Sequence, residues 1–186
     1  MLACIRKLKK PGKWDVSDPL PWLGHGEIPA DTLENLVTNG NSLSIFEVGD
    51  DTAKIERVAA AMSVPLDKVD DFEYILFEPA IPSAAKAKLK KVFGDTQDKA
   101  VNSWHYDITE LSGEGLVRLA KLLLQYATRD VVLAKQVITR LAESIASEAI
   151  LADKVKVKGK DRAVLDEMVR VKRASASGSP PKRKTE

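Results

Sequence analysis

Two histidines are the residues of this chain best suited to proton-transfer chemistry, and each lies close to a tryptophan. His105 precedes Asp107 by two residues, and His25 stands between two glycines, three residues after Trp22. Histidine titrates near neutral pH and is therefore a common general base or proton shuttle. Because side chains two residues apart share one face of a strand, Asp107 could orient the His105 ring. The pattern predicts a histidine–carboxylate pair that His25 could join.

A packing role is the alternative interpretation of the same residues. A general base needs a nucleophile or a metal to act with, and no recognisable motif of the sequence supplies one. The scattered His and Asp residues match no metal-ligand spacing, and Asp50-Asp51 fits a helix N-cap as well as a ligand crevice. We therefore expect no cofactor and no metal, and we expect packing roles for Trp22, Trp104 and Tyr106.

Charge is strongly segregated along the chain. Residues 1–14 carry five basic and no acidic residues, residues 15–79 carry 14 acidic and three basic residues, and residues 154–186 carry eleven basic and four acidic residues. Basic clusters gain affinity for nucleic acid by releasing counterions from phosphates, although such runs are commonly solvated faces. The candidate basic contact residues are Arg6, Lys7, Lys9, Lys10, Lys182, Arg183 and Lys184.

Length and composition indicate a globular protein. The chain has 186 residues, of which 44% are hydrophobic and only 5% aromatic, so its core should be mainly aliphatic. It has one cysteine, Cys4, which fits a reducing compartment. No run approaches the roughly 20 apolar residues that span a bilayer. We expect a cytoplasmic protein with no membrane association.

Three segments have the composition of strands. Residues 43–48 and 72–78 are rich in β-branched and aromatic residues, and a helical pattern at 52–63 lies between them. This order favours a βαβ unit, with an antiparallel arrangement as the alternative. Residues 104–109 alternate Trp, Tyr and Ile with His, Asp and Thr, which indicates a third, short strand or the lead-in to a helix.

Helical periodicity dominates the second half of the chain. Apolar residues recur at helical spacing from 113 to 152, and we expect a break near 126–130 where Thr128 could cap a second helix. A single long helix is the alternative. A further amphipathic helix is predicted at 161–173. Shorter helices are predicted at 30–38 and 83–93, together with a helical turn within residues 1–10.

These patterns predict an α+β or α/β fold: a small sheet of two to three strands covered by helices, a helical C-terminal half and a disordered basic tail. The expected segments are an extended arm packed on the domain (1–30), an α/β portion (31–111), a helical portion (112–173) and the tail (174–186). The favoured function is a non-catalytic accessory protein that binds another protein, or itself, through the helical half. A small enzyme using His105, Asp107 and His25, or nucleic-acid binding through the basic termini, are the alternatives.

Overall fold

The computed structural model of the chain describes residues 4–8, 27–36 and 38–176. These residues form two compact units, each assembled from segments that are separate in the sequence. Unit 1 takes in Phe72–Gly94, Ser103–Val131 and the described part of Met1–Asp51. Unit 2 takes in Thr52–Asp71, Asp95–Asn102 and the described part of Val132–Glu186.

The chain has a mixed α+β fold, as predicted, with a six-stranded sheet. The strands are β1 (Cys4–Lys7), β2 (Leu43–Glu47), β3 (Phe72–Phe77), β4 (Lys88–Lys91), β5 (His105–Thr109) and β6 (Thr128–Val132). Their order across the sheet is β4-β5-β2-β1-β3-β6, and every pairing from β4 to β3 is antiparallel. The three strands predicted from composition are β2, β3 and β5, and they are confirmed.

β1 lies between the two strands that the sequence suggested as a βαβ pair. Because β1 is antiparallel to both β2 and β3, those two strands run in the same direction. The chain between them includes helix α2 (Thr52–Ser63). A strand from elsewhere in the sequence therefore separates this parallel pair.

The other three strands correct the secondary-structure prediction. β1 replaces the helical turn expected within residues 1–10, and β4 lies within the helix expected at 83–93. β6 occupies the break between the two long helices. The lysines of β4 have a weak intrinsic preference for strands, so pairing with neighbouring strands decides the conformation of this segment. Segments of only four residues are too short to show a reliable hydrophobic period in the sequence.

The predicted helical C-terminal half is confirmed. Ser112 caps α5 through a 3.0 Å hydrogen bond that its hydroxyl accepts from the Gly115 amide. The next long helix begins after Leu133 rather than at Thr128, because Thr128 is the first residue of β6. The helices other than α2 are α1 (Ala30–Leu33), α3 (Ala80–Ala84), α4 (Lys99–Asn102), α5 (Gly113–Tyr126), α6 (Ala134–Ala146) and α7 (Gly159–Ala176), with 3₁₀ turns at Glu34–Leu36 and Ala152–Lys154.

Unit 1 has an aliphatic core on one face of its sheet. Helix α5 contributes Leu119, Ala120 and Leu123 to this core, and α3 and α1 pack against α5. The near absence of aromatic side chains agrees with the composition. The buried members are Leu8, Leu36, Leu43, Ile45, Ile75, Phe77, Ile81, Ala85, Ala87, Ile108, Leu111, Leu119, Ala120 and Leu123.

Unit 2 is helical. Helix α6 packs against both α2 and α7, and it buries Val137, Leu141 and Ile145. Before α7 the chain alternates lysine and valine, and the structure buries Val155 and Val157 while the lysines point to solvent. The Lys156 amide donates a 2.9 Å hydrogen bond to the Val64 carbonyl, so this segment runs beside the end of α2.

Helix α7 continues to Ala176 and so takes in the first residues of the predicted tail, Ala174 to Ala176. The remainder of that tail, 177–186, lies outside the described residues, as does most of the predicted arm. Within the described ranges, no helix combines the length and apolar character needed to cross a membrane.

The pKa of Tyr74 in β3 reports on the pairing of β3 with β6, because Asp130 of β6 lies beside the phenol. Its side chain is buried, and burial together with a hydrogen bond to Asp130 of β6 raises the pKa of Tyr74 from 10.0 to about 12. Because the folded-state pKa is raised, the neutral phenol stabilises the fold fully below pH 10. This contribution is lost as the pH rises through about 12.

We expect the phenolate absorbance of the parent chain and of Tyr74→Phe to coincide up to about pH 11, since Tyr74 is still protonated there. The two alkaline titrations should diverge only at higher pH. Divergence beginning near pH 10, the value for a tyrosine in water, would show that Tyr74 is not buried beside Asp130.

Candidate functional site

The His105–Asp107 pair is present on one face of β5. The distance from His105 Nε2 to Asp107 Oδ1 is 3.7 Å, and His105 Nδ1 lies 3.2 Å from the Val92 carbonyl oxygen. The ring meets Phe46 edge-on, with centroids 5.2 Å apart, and only 12% of the histidine side chain is exposed. The ring is therefore held on two sides, and its Nε2 faces the carboxylate.

This geometry defines where a proton would sit. A neutral ring that donates Nδ1–H to the Val92 carbonyl leaves Nε2 unprotonated, and a second proton there would face Asp107. The Ser44 hydroxyl also donates to Asp107 Oδ1, at 3.2 Å. The Ser44 hydrogen bond therefore helps to orient Asp107, and the His105 ring lies beside the carboxylate without a hydrogen bond to it.

The other parts of the hypothetical site are not assembled here. His25 and Trp22 lie outside the described residues, so their approach to His105 stays a prediction. Among the residues that the structure does describe, no cluster of three His, Cys, Asp or Glu side chains could hold a metal ion. Asp50 and Asp51 are exposed immediately before α2.

The predicted packing and basic residues are found in different settings. Tyr106 is half-buried against the unit 1 core, and Trp104 is half-buried where β5 begins. Lys7 lies in β1 with its Nζ 5.5 Å from the centre of the Phe72 ring, and Arg6 contributes backbone to the same strand. The remaining basic candidates lie outside the described residues; they are Lys9, Lys10, Lys182, Arg183 and Lys184.

A lysine and aromatic surface at the sheet edge was missed from the sequence. We call it the β4–β5 surface and define it by Lys88, Lys90, Lys91, Phe93, Trp104 and Tyr106. Lys91 pairs with Tyr106 across the two strands, and its Nζ lies 3.3 Å from the phenol oxygen and 4.9 Å from the ring centre. The Val92 amide donates to the His105 carbonyl at 3.4 Å, so the contact between the two chain segments continues one residue beyond Lys91 and reaches the residue before Phe93.

The lysines of this surface are evident in the sequence, but the pattern of residues 83–93 predicts a helix, whereas the structure has a strand there. On the predicted helix the lysines of 83–93 would point in several directions. In strand β4, Lys88 and Lys90 lie on one face of the sheet edge and Lys91 on the other, within four residues of chain. The aromatic partners come from β5, and only strand pairing could reveal them.

An apolar stripe runs along the outer flank of α7. Val164, Met168 and Val171 recur at spacings of four and three residues, so they share one side of the helix. Val164 is 45% exposed and Val171 is 40% exposed, whereas the adjacent Leu165 is fully buried. We call these three residues the α7 stripe.

A polar groove between α2 and α6 is the third surface with a distinctive composition. Its cavity is about 310 Å³ and is lined by Glu56, Arg140 and Glu143, among others. Arg140 lies 2.7 Å from Glu56 and 2.8 Å from Glu143, and Lys172 lies 2.6 Å from Glu143. The hydrogen bond from Lys172, with the charge of Arg140, lowers the pKa of Glu143. These charges compensate one another, so the groove joins helices rather than presenting an unbalanced charge.

Comparisons of the chain with protein-family models, with curated proteins and with solved structures gave no match. Function is therefore inferred from the contacts, burial and charge of the described residues. Three features of the described residues have a composition or geometry suited to binding or chemistry: the His105–Asp107 pair, the β4–β5 surface and the α7 stripe.

Proposed function

We propose that this protein is a non-catalytic binding protein that engages another protein, or a second copy of itself, through the α7 stripe. The observation that supports this function is the exposure of two valines seven residues apart, with Met168 between them on the same side of the helix. Exposed apolar residues that occur singly are normal on a protein surface. A contiguous row on one helix is a more specific sign of a partner.

The position of the stripe shows why the packing of unit 2 does not account for it. Successive residues of a helix are separated by roughly 100°, so Val164 lies a quarter-turn or more from the buried Leu165. The apolar arc of α7 is thus wider than the part that its neighbours cover. Helix faces of this kind bind grooves or other helices through anchors spaced by three, four and seven residues.

The size of the stripe sets the scale of the interaction. Seven residues of helix extend about 10 Å, and complete burial of a valine contributes about 1.5–3 kcal/mol relative to full exposure. The stripe can therefore supply the central anchors of an interface. A stable complex also needs surrounding contacts, since specific interfaces bury about 800 Å² on each partner.

The enzyme alternative has weaker support. His105 and Asp107 are oriented as an acid–base pair, but the ring is largely enclosed by Phe46 and the Val92 carbonyl. Within the described residues, Ser44 is the only hydroxyl shown to bond to Asp107, and it donates to the carboxylate rather than to the histidine. This contact orients Asp107, and it does not activate the serine as a nucleophile in the way that a Ser–His pair would.

A charge-insertion experiment tests the proposed function. We expect Val164→Glu/Val171→Glu to weaken association at least tenfold, because two carboxylates would have to be desolvated at the centre of the contact. Ala163→Glu is the matched control, since Ala163 is an exposed apolar residue about 100° around the same helix from Val164. Sedimentation velocity from micromolar to millimolar concentration measures self-association.

Capture of a partner, followed by reconstitution with the purified partner, measures association with a different protein. Equal loss of binding in the Ala163→Glu control would mean that charge on α7, rather than the stripe, controls association. A parent chain that stays monomeric throughout and binds no reconstituted partner would contradict the proposal.

A further inference from the structure

The β4–β5 surface combines positive charge with accessible aromatic rings at an edge of the sheet. Lys88, Lys90 and Lys91 are exposed on β4, and Phe93 immediately beyond them is 67% exposed. The two acidic side chains of β5 and its following residue that lie nearest to these lysines, Asp107 and Glu110, already have partners. Glu110 forms an ion pair with Lys88 at 2.8 Å, and Asp107 accepts a hydrogen bond from the Ser44 hydroxyl.

Strand alternation sorts these side chains onto the two faces of the edge. Lys91 shares a face with Tyr106, because directly paired residues of antiparallel strands point the same way, and Phe93 follows two residues after Lys91. Lys88 and Lys90 border the opposite face. A chain-like ligand lying along β4 would therefore meet the exposed Phe93 ring and the Lys91 ammonium group on one side. On the other side it would meet the Lys90 ammonium group, beside Lys88, which is already paired with Glu110.

We propose that the β4–β5 surface binds single-stranded nucleic acid. The lysines supply contacts to phosphates, and Phe93 supplies an accessible ring on which a base can stack. Proteins that bind single strands without sequence preference combine these two features, because every base has a π-face and every nucleotide a negative charge. The proposal is independent of the basic chain ends and of the α7 stripe.

Lysines on an edge strand also discourage unwanted pairing with other sheets, and this explains their presence at many sheet edges. That role does not account for Phe93. An exposed aromatic ring beside an unprotected strand edge favours aggregation, so its presence among the lysines indicates a ligand with flat apolar faces. An acidic protein segment would satisfy the lysines but would gain little from Phe93.

Fluorescence anisotropy with a labelled oligothymidylate of about twelve nucleotides, a length within the usual site size for one small domain, tests the proposal. We expect Phe93→Ala in the full chain to weaken binding roughly 5- to 150-fold, the range for loss of one stacked base. Tyr126→Ala is the matched control, since Tyr126 is an exposed aromatic residue of unit 1 away from β4. It should bind as the parent does.

A salt titration tests the lysines separately. For single strands each phosphate contact contributes roughly 0.7 to the slope of log affinity against log salt, so Lys90→Ala/Lys91→Ala should reduce the slope by roughly 1.4. Lys99→Ala/Lys121→Ala removes the same charge from exposed helix positions and should leave the slope nearly unchanged.

Three results would overturn the proposal. The parent chain could fail to bind the oligonucleotide at low salt, or all four variants could bind with the parent's affinity and slope, which would move binding to the chain ends. Polyglutamate of matched charge could bind more tightly than the oligonucleotide with no effect of Phe93→Ala, which would identify an acidic protein segment as the ligand. Far-ultraviolet circular dichroism of each variant confirms that its fold is intact.

Discussion

Asp98→Ala is expected to lower the free energy of unfolding by about 3 kcal/mol, because it removes a buried carboxylate that accepts hydrogen bonds from Arg57 and from a backbone amide. The Asp98 side chain is 1% exposed, and its two oxygens lie 2.6 Å from Arg57 Nε and 3.0 Å from Arg57 Nη2. It also accepts a 2.9 Å hydrogen bond from the Ala100 amide at the start of α4. The arginine is 34% exposed and can turn towards water, which keeps the expected loss at the lower end of the usual range.

Urea denaturation at neutral pH measures this loss as a shift of the midpoint at constant slope. Asp95→Ala is the control, because Asp95 lies in the same loop but is exposed, and its replacement should change stability by no more than about 0.5 kcal/mol. A similar small effect for Asp98→Ala would show that the pair with Arg57 does not form. Arg57→Ala and the double variant complete a thermodynamic cycle that isolates the coupling between the two side chains.

Ile108→Ala is expected to cost about 2–5 kcal/mol of stability, the range for truncating a large aliphatic side chain in a closed core. Ile108 is fully buried at the centre of β5, where it pairs with Leu43 of β2 and Leu89 of β4. It belongs to the same aliphatic core as Leu119 of α5. Removing its outer carbons would leave a cavity between strands that are held on both sides and cannot close around it.

Thr109→Ala is the control that separates loss of core packing at Ile108 from a general effect of substitutions in β5. Thr109 is the next residue along β5, points to the opposite face and is only half-buried. We expect its replacement to cost less than about 1 kcal/mol. Thermal and denaturant unfolding measure both variants, and equal losses would indicate that β5 is not oriented with Ile108 inward.

The alternation around His105 could be predicted because it is local. Apolar residues at every second position of 104–109 identify a strand with one buried face, and the structure places Ile108 on that face and His105 and Asp107 on the other. The proximity of His105 to Asp107 follows from the same two-residue period. The contacts that hold the pair come from Val92 and Ser44, which are distant in sequence and carry no signal of this role.

The buried ion pair between Arg57 and Asp98 could not be predicted either. Arg57 lies on a helix whose period identifies only its apolar side, and Asp98 lies in a loop of polar residues where acidic side chains are ordinarily solvated. Burial of a carboxylate is favourable only with a partner in place, so its environment depends on two segments meeting in the folded chain. The same reasoning applies to Tyr74, whose burial beside Asp130 raises its pKa to about 12.

By itself the sequence determined the mixed fold class, three of the strands, the long C-terminal helices and the alternation that orients His105 and Asp107. Each of these depends on a period or a turn signal within a few residues of chain. Only the tertiary structure decided that residues 4–7 and the lysine-rich residues 88–91 become strands β1 and β4, that β1 separates β2 from β3, and that β4 meets Tyr106 of β5. Strand pairing joins segments far apart in sequence, and its energy outweighs the weak local preference of lysine, so no local pattern records it.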